Sequence, residues 1–209
     1  MGLSAEQLRA SVEALCAIEP AFQAAIDRHG HPAPRISDRG FATLLRTIVG
    51  QQVSVASAAA VWRKLDETLG GAADPEKIAA ASEETLRGCG MSRQKLGYAK
   101  SLADEVTSGR LDLDNLPADD EEAIAALVRV KGIGRWSAEI YLLFAEGRTD
   151  IWPAGDLAVQ IEVGRILGHE TRPSEKLTRE LAEPWRPHRG AAAILAWHHY
   201  GAGVNKLPV

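Results

Sequence analysis

Two stretches of this chain hold residues whose types and spacing can do chemistry. One is Ile151-Trp152-Pro153-Ala154-Gly155-Asp156, where proline and glycine force a tight, partly exposed turn and set an acid at the start of the next apolar-periodic segment. Placed there, Asp156 serves as a helix N-cap, a role worth about 1 kcal/mol. A capping carboxylate is also aimed by the N–H groups it accepts from, so a catalytic role is compatible with the structural one. The other stretch runs from Leu127 to Ala138 through Lys131-Gly132-Ile133-Gly134-Arg135. Its two glycines permit positive φ and a close backbone approach, and Ile133 between them pins the turn to the core.

The second stretch joins two amphipathic helices and is a helix–hairpin–helix signature. Its second helix starts with N–H groups that lack in-helix partners, an anion site suited to a DNA phosphate. Lys131, Gly132, Gly134, Arg135 and Ser137 are the candidate contacts, and Arg189 is a further candidate cation. The carbonyls of Val128, Val130 and Ile133 are a candidate ligand set for a monovalent cation, Na+ or K+. Two other readings stand beside this one. The first is a plain helix–helix turn. The second is a dinucleotide-binding loop, which needs a strand before the glycines and a third small residue that is glycine; the preceding segment is helical and Ser137 stands at the third position.

Other chemistry finds less support. Six histidines show no metal-ligand spacing with cysteine or carboxylate, and read as solvated or capping. Cys16 and Cys89 give no disulfide framework and cannot hold an iron–sulfur cluster, so each reads as a small buried hydrophobe. No redox cofactor is implied. The net charge of −4 argues against a protein that coats nucleic acid by bulk electrostatics, so any DNA binding must be local. No apolar run is long enough to span a membrane, and the acidic N-terminal segment resembles no signal or transit peptide. Cytoplasmic, nucleoid-associated residence of a monomer is the expectation.

Helices must position these groups. Apolar residues recur with helical period, no run alternates as a strand would, and glycine and proline fall between segments. Ser4 opens a helix towards Ile18 with capping-box spacing. Residues 21–39, rich in His, Pro and Arg, read as irregular. Helices follow from Phe41 to Val49 and from about Ser54 to Leu69. Asp74-Pro75, Ser82 and Ser92 open three more. The hairpin helices span Glu121–Val130 and Arg135 to about Ala145, Asp156 opens the next, and the last two run near Ser174–Glu183 and Arg189–Tyr200.

The hairpin followed by the Pro-Ala-Gly-Asp turn resembles the helix–hairpin–helix DNA glycosylase superfamily named for its Gly-Pro and Asp motif, and within it the 3-methyladenine glycosylase II branch. The similarity runs from Phe41 to about Tyr200. Its pieces are Ile48-Val49-Gly50-Gln51-Gln52-Val53-Ser54-Val55, the hairpin, the Asp156 turn, and Trp185-Arg186-Pro187-His188-Arg189 leading to Trp197. The resemblance implies that Asp156 stabilises positive charge growing on the deoxyribose as the base leaves, or positions water. It places Trp136 where bifunctional relatives carry a Schiff-base lysine, so no lysine-dependent strand cleavage is expected. It makes Gln52 the side chain inserted where the base was, at a position usually apolar in close relatives. Trp136 and Trp197 match pocket aromatics, with Tyr141 and Trp152 as further candidates; ordinary core packing is the competing reading for all four. Indole faces attract cationic alkylated purines by about 0.5–2 kcal/mol.

Three features depart from the family pattern. Ile140 replaces its tyrosine, with Tyr141 adjacent; the Asp156 turn is one residue longer; and the N-terminal sheet domain of longer relatives is expected to be absent. The expected protein is all-α, two helical subdomains flanking a DNA-binding cleft, one over 40–148 and the other from 1–39 with 149–209. Its expected reaction is hydrolysis of the N-glycosidic bond of alkylated purines in double-stranded DNA. The alternatives are a non-catalytic DNA-structure binder and a glycosylase for oxidised or deaminated bases.

Overall fold

Side-chain caps write most of the helix starts. In the structure, a computed structural model that describes residues 2–204, Ser4, Ser54, Asp74, Ser82, Ser92, Asp119, Asp156 and Ser174 each accept a backbone N–H two or three residues ahead. These caps hold donors that would otherwise lack partners. The fold is all-α, with no strand among the described residues. No helix among them is long and apolar enough to cross a membrane.

Two compact units divide the chain, Ser37–Tyr141 and Met1–Ile36 with Leu142–Val209. The boundaries lie at 36/37 and 141/142 rather than at the 40 and 148 expected. The continuous unit holds α3 (Phe41–Gly50), α4 (Val55–Leu69), α5 (Pro75–Ala80), α6 (Glu83–Gly88), α7 (Arg93–Thr107), α8 (Asp120–Val128) and α9 (Arg135–Tyr141). Helix α7 is its hub, packed against α3, α5 and α6. Leu44, Leu45 and Ile48 of α3 and Ala99, Leu102 and Ala103 of α7 are fully buried. Their spacing of one, three or four residues gives each helix one apolar stripe.

The other unit combines α1 (Ala5–Ile18), α2 (Ala21–His29), α10 (Leu157–Ile166), α11 (Glu175–Leu181) and α12 (Arg189–Val204). Helix α12 packs on α1, α2 and α10. An edge-to-face aromatic group closes this core: Trp185 meets Phe22 at 5.0 Å and Trp152 at 5.6 Å. Such contacts place ring edges, which are positive, on ring faces, which are negative.

Two elements differ from the sequence reading. Residues 21–29 are helical, with Phe22, Ala25 and Ile26 buried on one face, although the surrounding His and Pro content read as irregular. The hairpin's second helix ends at Tyr141 and continues as a π-turn over Leu142–Glu146, all but Glu146 buried. A π-turn rotates the following side chains relative to an α-helix. It delivers Phe144 to the neighbourhood described next.

Candidate functional site

Asp156 is the N-cap of α10, with φ −73° and ψ 126°. Its Oδ1 accepts the Val159 N–H at 3.0 Å and the Trp197 Nε1–H at 3.1 Å. One carboxylate oxygen is thus held from two directions, by its own helix and by α12. The Trp197 ring lies against Phe144 of the π-turn at 5.6 Å with a 41° tilt, and the Arg35 guanidinium stands 5.3 Å from the centre of Phe144. Trp197 and Asp156 are both half-buried, so the pair is anchored yet reachable. A carboxylate fixed in this way can stabilise positive charge on an adjacent carbon without first reorganising.

Two of the proposed pocket aromatics belong instead to the core. Trp152 is 4% exposed, donates Nε1–H to the Thr178 carbonyl at 3.0 Å, and packs edge-on to Trp185. Tyr141 is also 4% exposed, and its hydroxyl accepts the Gly40 N–H at 2.7 Å, fixing the entry to α3. Trp136 differs: at 48% exposure it presents a large apolar face at the start of α9. Trp62 is half-buried and carries the Arg46 guanidinium over its ring at 4.1 Å, whereas Trp185 is 2% exposed.

The hairpin turn spans residues 129–134 and is held by bonds from three sides. The Ile133 N–H donates to Val130 O at 3.0 Å, the Lys131 N–H to Ser101 Oγ at 3.1 Å, and Gln51 Nε2 to Gly132 O at 2.8 Å. Gly132 has φ +85°, and a Cβ there would fall 2.2 Å from the Tyr98 ring. Glycine is therefore required twice over, by conformation and by space. Gly134 has neither constraint: a Cβ would meet nothing within 4 Å, and its φ is not positive. The Gly-x-Gly pattern thus contains one glycine the fold demands and one exposed glycine it does not.

Gln52 is exposed and has φ +54°, alone among non-glycine residues in adopting positive φ within the described chain. That conformation is costly for a residue with a Cβ and persists only where the surroundings enforce it. Lys95 Nζ donates to Val49 O at 2.7 Å and Gln51 ties the loop to the hairpin, so the backbone on either side of the turn is held. These residues line a cavity of about 560 Å³ together with Ser57, Ser92, Gln94 and Tyr98. Burial pushes the Lys95 ammonium below its ordinary pKa.

The candidate cations are largely engaged by acids. Arg135 donates to Glu121 at 2.5 and 2.8 Å and to the buried Glu139 at 2.9 Å, and the Glu121 bond drives its pKa up. Arg189 donates to Asp150 at 2.8 and 2.9 Å and to Glu183 at 3.2 Å, with a side chain only 12% exposed. This buttress makes Arg189 a brace for the start of α12 rather than the loose phosphate contact its sequence position suggests. Lys131 is exposed and Ser137 half-buried. Val130 O already accepts one hydrogen bond within the cation ligand set, which leaves a second lone pair. No cluster of three His, Cys, Asp or Glu with metal-binding geometry occurs among the described residues.

Sequence reasoning missed Phe144, Arg35, Gln51 and the Trp197 partner of Asp156. Each works through a residue distant in sequence, and no local pattern signals such a pairing.

Comparison with known proteins extends the geometry. Residues 45–187 match the model of the HhH-GPD superfamily base excision DNA repair protein. The chain is 31% identical over 160 residues to DNA-3-methyladenine glycosylase 1 of Schizosaccharomyces pombe, an alignment covering 74% of this chain and 69% of that protein. A crystal structure of DNA-3-methyladenine glycosidase from Bacillus halodurans superposes with a TM-score of 0.86 and 29% identity, covering 94% of this chain and 91% of that one. The Schizosaccharomyces pombe 3-methyladenine DNA glycosylase in complex with abasic DNA follows at TM-score 0.75 and 26% identity, covering 93% and 97%.

Proposed function

The chain belongs to the HhH-GPD superfamily of base excision DNA repair proteins, and from that premise we propose that it is a monofunctional glycosylase releasing alkylated purines from duplex DNA. The observation that carries this reading is the doubly held Asp156 Oδ1, fixed by Val159 N–H and Trp197 Nε1–H. In the reaction the C1′–N bond breaks, its electron pair leaves with the base, and positive charge develops over C1′ and the ring oxygen. The Asp156 carboxylate stabilises that charge, and water adds its oxygen to C1′ and gives up a proton to solvent, which leaves an abasic sugar. Alkylation makes the purine cationic and hence a better leaving group, so no separate general acid is needed.

The remaining roles follow from placement. The exposed Trp136 indole offers a stacking face for a nucleobase, and stacking of about 1–3 kcal/mol per base offsets part of the cost of extrusion. Because tryptophan has no amine, it forms no imine with the sugar, and strand cleavage by that route does not occur. Gln52, projecting from its positive-φ turn, is the wedge that fills the vacated stack. The hairpin amides, with Lys131, grip the adjacent phosphates, and the carbonyls of Val128, Val130 and Ile133 would hold Na+ or K+.

The test is base release from duplexes carrying 3-methyladenine, 7-methylguanine, hypoxanthine or uracil, with Asp156→Asn alongside the parent. The expected result is release of the two alkylpurines by the parent and a loss of at least about 100-fold in the variant, which still binds abasic-site DNA. Unchanged release by Asp156→Asn removes that residue from the mechanism. A parent that binds but releases nothing is a DNA-structure binder.

A further inference from the structure

Helices α10 and α12 are joined by a second side-chain bond besides the one at Asp156. Glu162, six residues along α10 from Asp156, is 1% exposed, and its Oε2 pairs with His199 Nδ1 at 2.5 Å. His199 lies two residues along α12 from Trp197 and its side chain is 11% exposed. The other Glu162 oxygen, Oε1, receives Arg165 Nη1 at 2.5 Å. The outer side of this cluster is closed by α2: the His29 ring meets the His199 ring edge-on at 4.5 Å, and the His29 carbonyl pairs with His198 Nε2 at 3.0 Å.

We infer that the Glu162–His199 pair is a positioning device that fixes α12 against α10 so that the Trp197 N–H stays on Asp156. The inference rests on the glycosylase reading for its catalytic consequence, though not for its geometry. Asp156 and Glu162 belong to one rigid helix, about 9 Å apart along its axis, and Trp197 and His199 belong to another. Apolar packing between α10 and α12 together with a single hydrogen bond still permits small rolls of one helix on the other. A second bond, displaced about 9 Å along α10 and about 3 Å along α12, restricts them. The second bond is also hard to stretch, because a carboxylate buried this deeply must keep its partners or bear the full cost of desolvation. A roll that displaces Trp197 Nε1 by 1 Å breaks its 3.1 Å contact, and misplacements of that size cost up to about 100-fold in rate.

Three variants read this directly. His199→Phe keeps an aromatic ring and deletes the donor; His199→Asn restores an N–H near the Nδ1 position; Glu162→Gln keeps shape and weakens the pair. The first readout is the indole 1H–15N cross-peak of Trp197 in labelled protein, assigned through Trp197→Phe. The second is the single-turnover rate of 7-methylguanine release beside affinity for abasic-site duplex. The expected result is a shifted Trp197 cross-peak and a rate lowered by up to about tenfold in His199→Phe, with DNA affinity within about twofold of the parent and both readouts largely restored in His199→Asn. A Trp197 cross-peak at the parent position in His199→Phe overturns the inference. If that variant does not fold, Glu162→Gln decides by the same cross-peak. A parent inactive on every duplex sinks the glycosylase reading, while the cross-peak still judges the pair.

Discussion

At Asp156 the fold and the proposed chemistry use the same atom. Oδ1 caps α10 through Val159 N–H and takes the indole N–H of Trp197, so the group that starts the helix is also held against the second helix of its unit. Trp197→Phe separates these functions: the ring against Phe144 survives and the donor is lost. The variant should fold with a Tm close to the parent and release alkylated bases about tenfold more slowly, as expected for loss of one orienting hydrogen bond. Single-turnover release at saturating enzyme measures it, and an unchanged rate means the indole N–H orients nothing. The capping role of Asp156 was legible, because proline and glycine followed by an acid leave few conformations for the turn. Its partner was not. Trp152, Tyr141 and Trp197 look alike in sequence, each an aromatic on an apolar helix or turn. Only the buried acceptor Thr178 O for Trp152, and the part-buried donor Gly40 N–H for the buried Tyr141, assign two of them to the core.

The helix–hairpin–helix element was legible as a pattern, yet the pattern treated its two glycines as equals. The structure separates them, and the separation is testable. Gly132→Ala places a Cβ into the Tyr98 ring at φ +85°, so it should cost on the order of 2–4 kcal/mol, about 4–16 °C in Tm for a chain of this size. Gly134→Ala meets open space and should leave Tm within about 1 °C while weakening duplex binding, because the only thing that can crowd that Cβ is a bound strand. Thermal melts beside binding isotherms decide, and a Gly134→Ala variant that binds like the parent removes the hairpin from the interface. A second anchor of the hairpin depends on pH. Glu105 accepts from Arg110 at 3.0 Å and from Arg129 of the turn at 2.9 Å. Burial pushes its carboxyl upward, and the hydrogen bonds and charges of the two guanidiniums outweigh that and hold it below its ordinary pKa. A carboxyl depressed in the folded state contributes stability above its unfolded pKa of about 4.3 and loses it as pH falls through the folded value. Glu105→Gln should therefore melt lower than the parent at pH 7, and the gap should close below about pH 4. Helix α2 and the π-turn escaped the sequence for one reason: what makes them is burial against other helices, and their local composition is ambiguous or indistinguishable from an α-helix.

At the scale of the whole molecule, the all-helical class was readable from period and capping residues, because eight side-chain caps are local events spelled out within a few positions. The discontinuous unit, built from both ends of the chain, was readable only approximately, since its boundary at Tyr141 falls inside a continuous helical run. Charge is the property that constrains how such a body meets DNA. The chain carries 24 Lys and Arg against 28 Asp and Glu. Several cations that sequence position would assign to phosphates are spent on carboxylates: Arg135 on Glu121 and Glu139, Arg186 on Asp150 and Glu183, and Arg189 on the same two acids. A guanidinium already paired displaces few counterions from a duplex. Affinity must then come from backbone amides and stacking, which add little to the salt response, and from a small number of exposed lysines and arginines, each of which adds about one unit of slope. The logarithm of the dissociation constant for abasic-site duplex should rise with the logarithm of KCl concentration with a slope of about 2–4, where proteins that track many phosphates approach 10. Fluorescence anisotropy across a KCl series measures the slope. A value near 8 or above would mean that the paired arginines let go of their acids on binding, and Asp150→Asn, which frees Arg186 and Arg189 in advance, would then tighten binding rather than leave it unchanged.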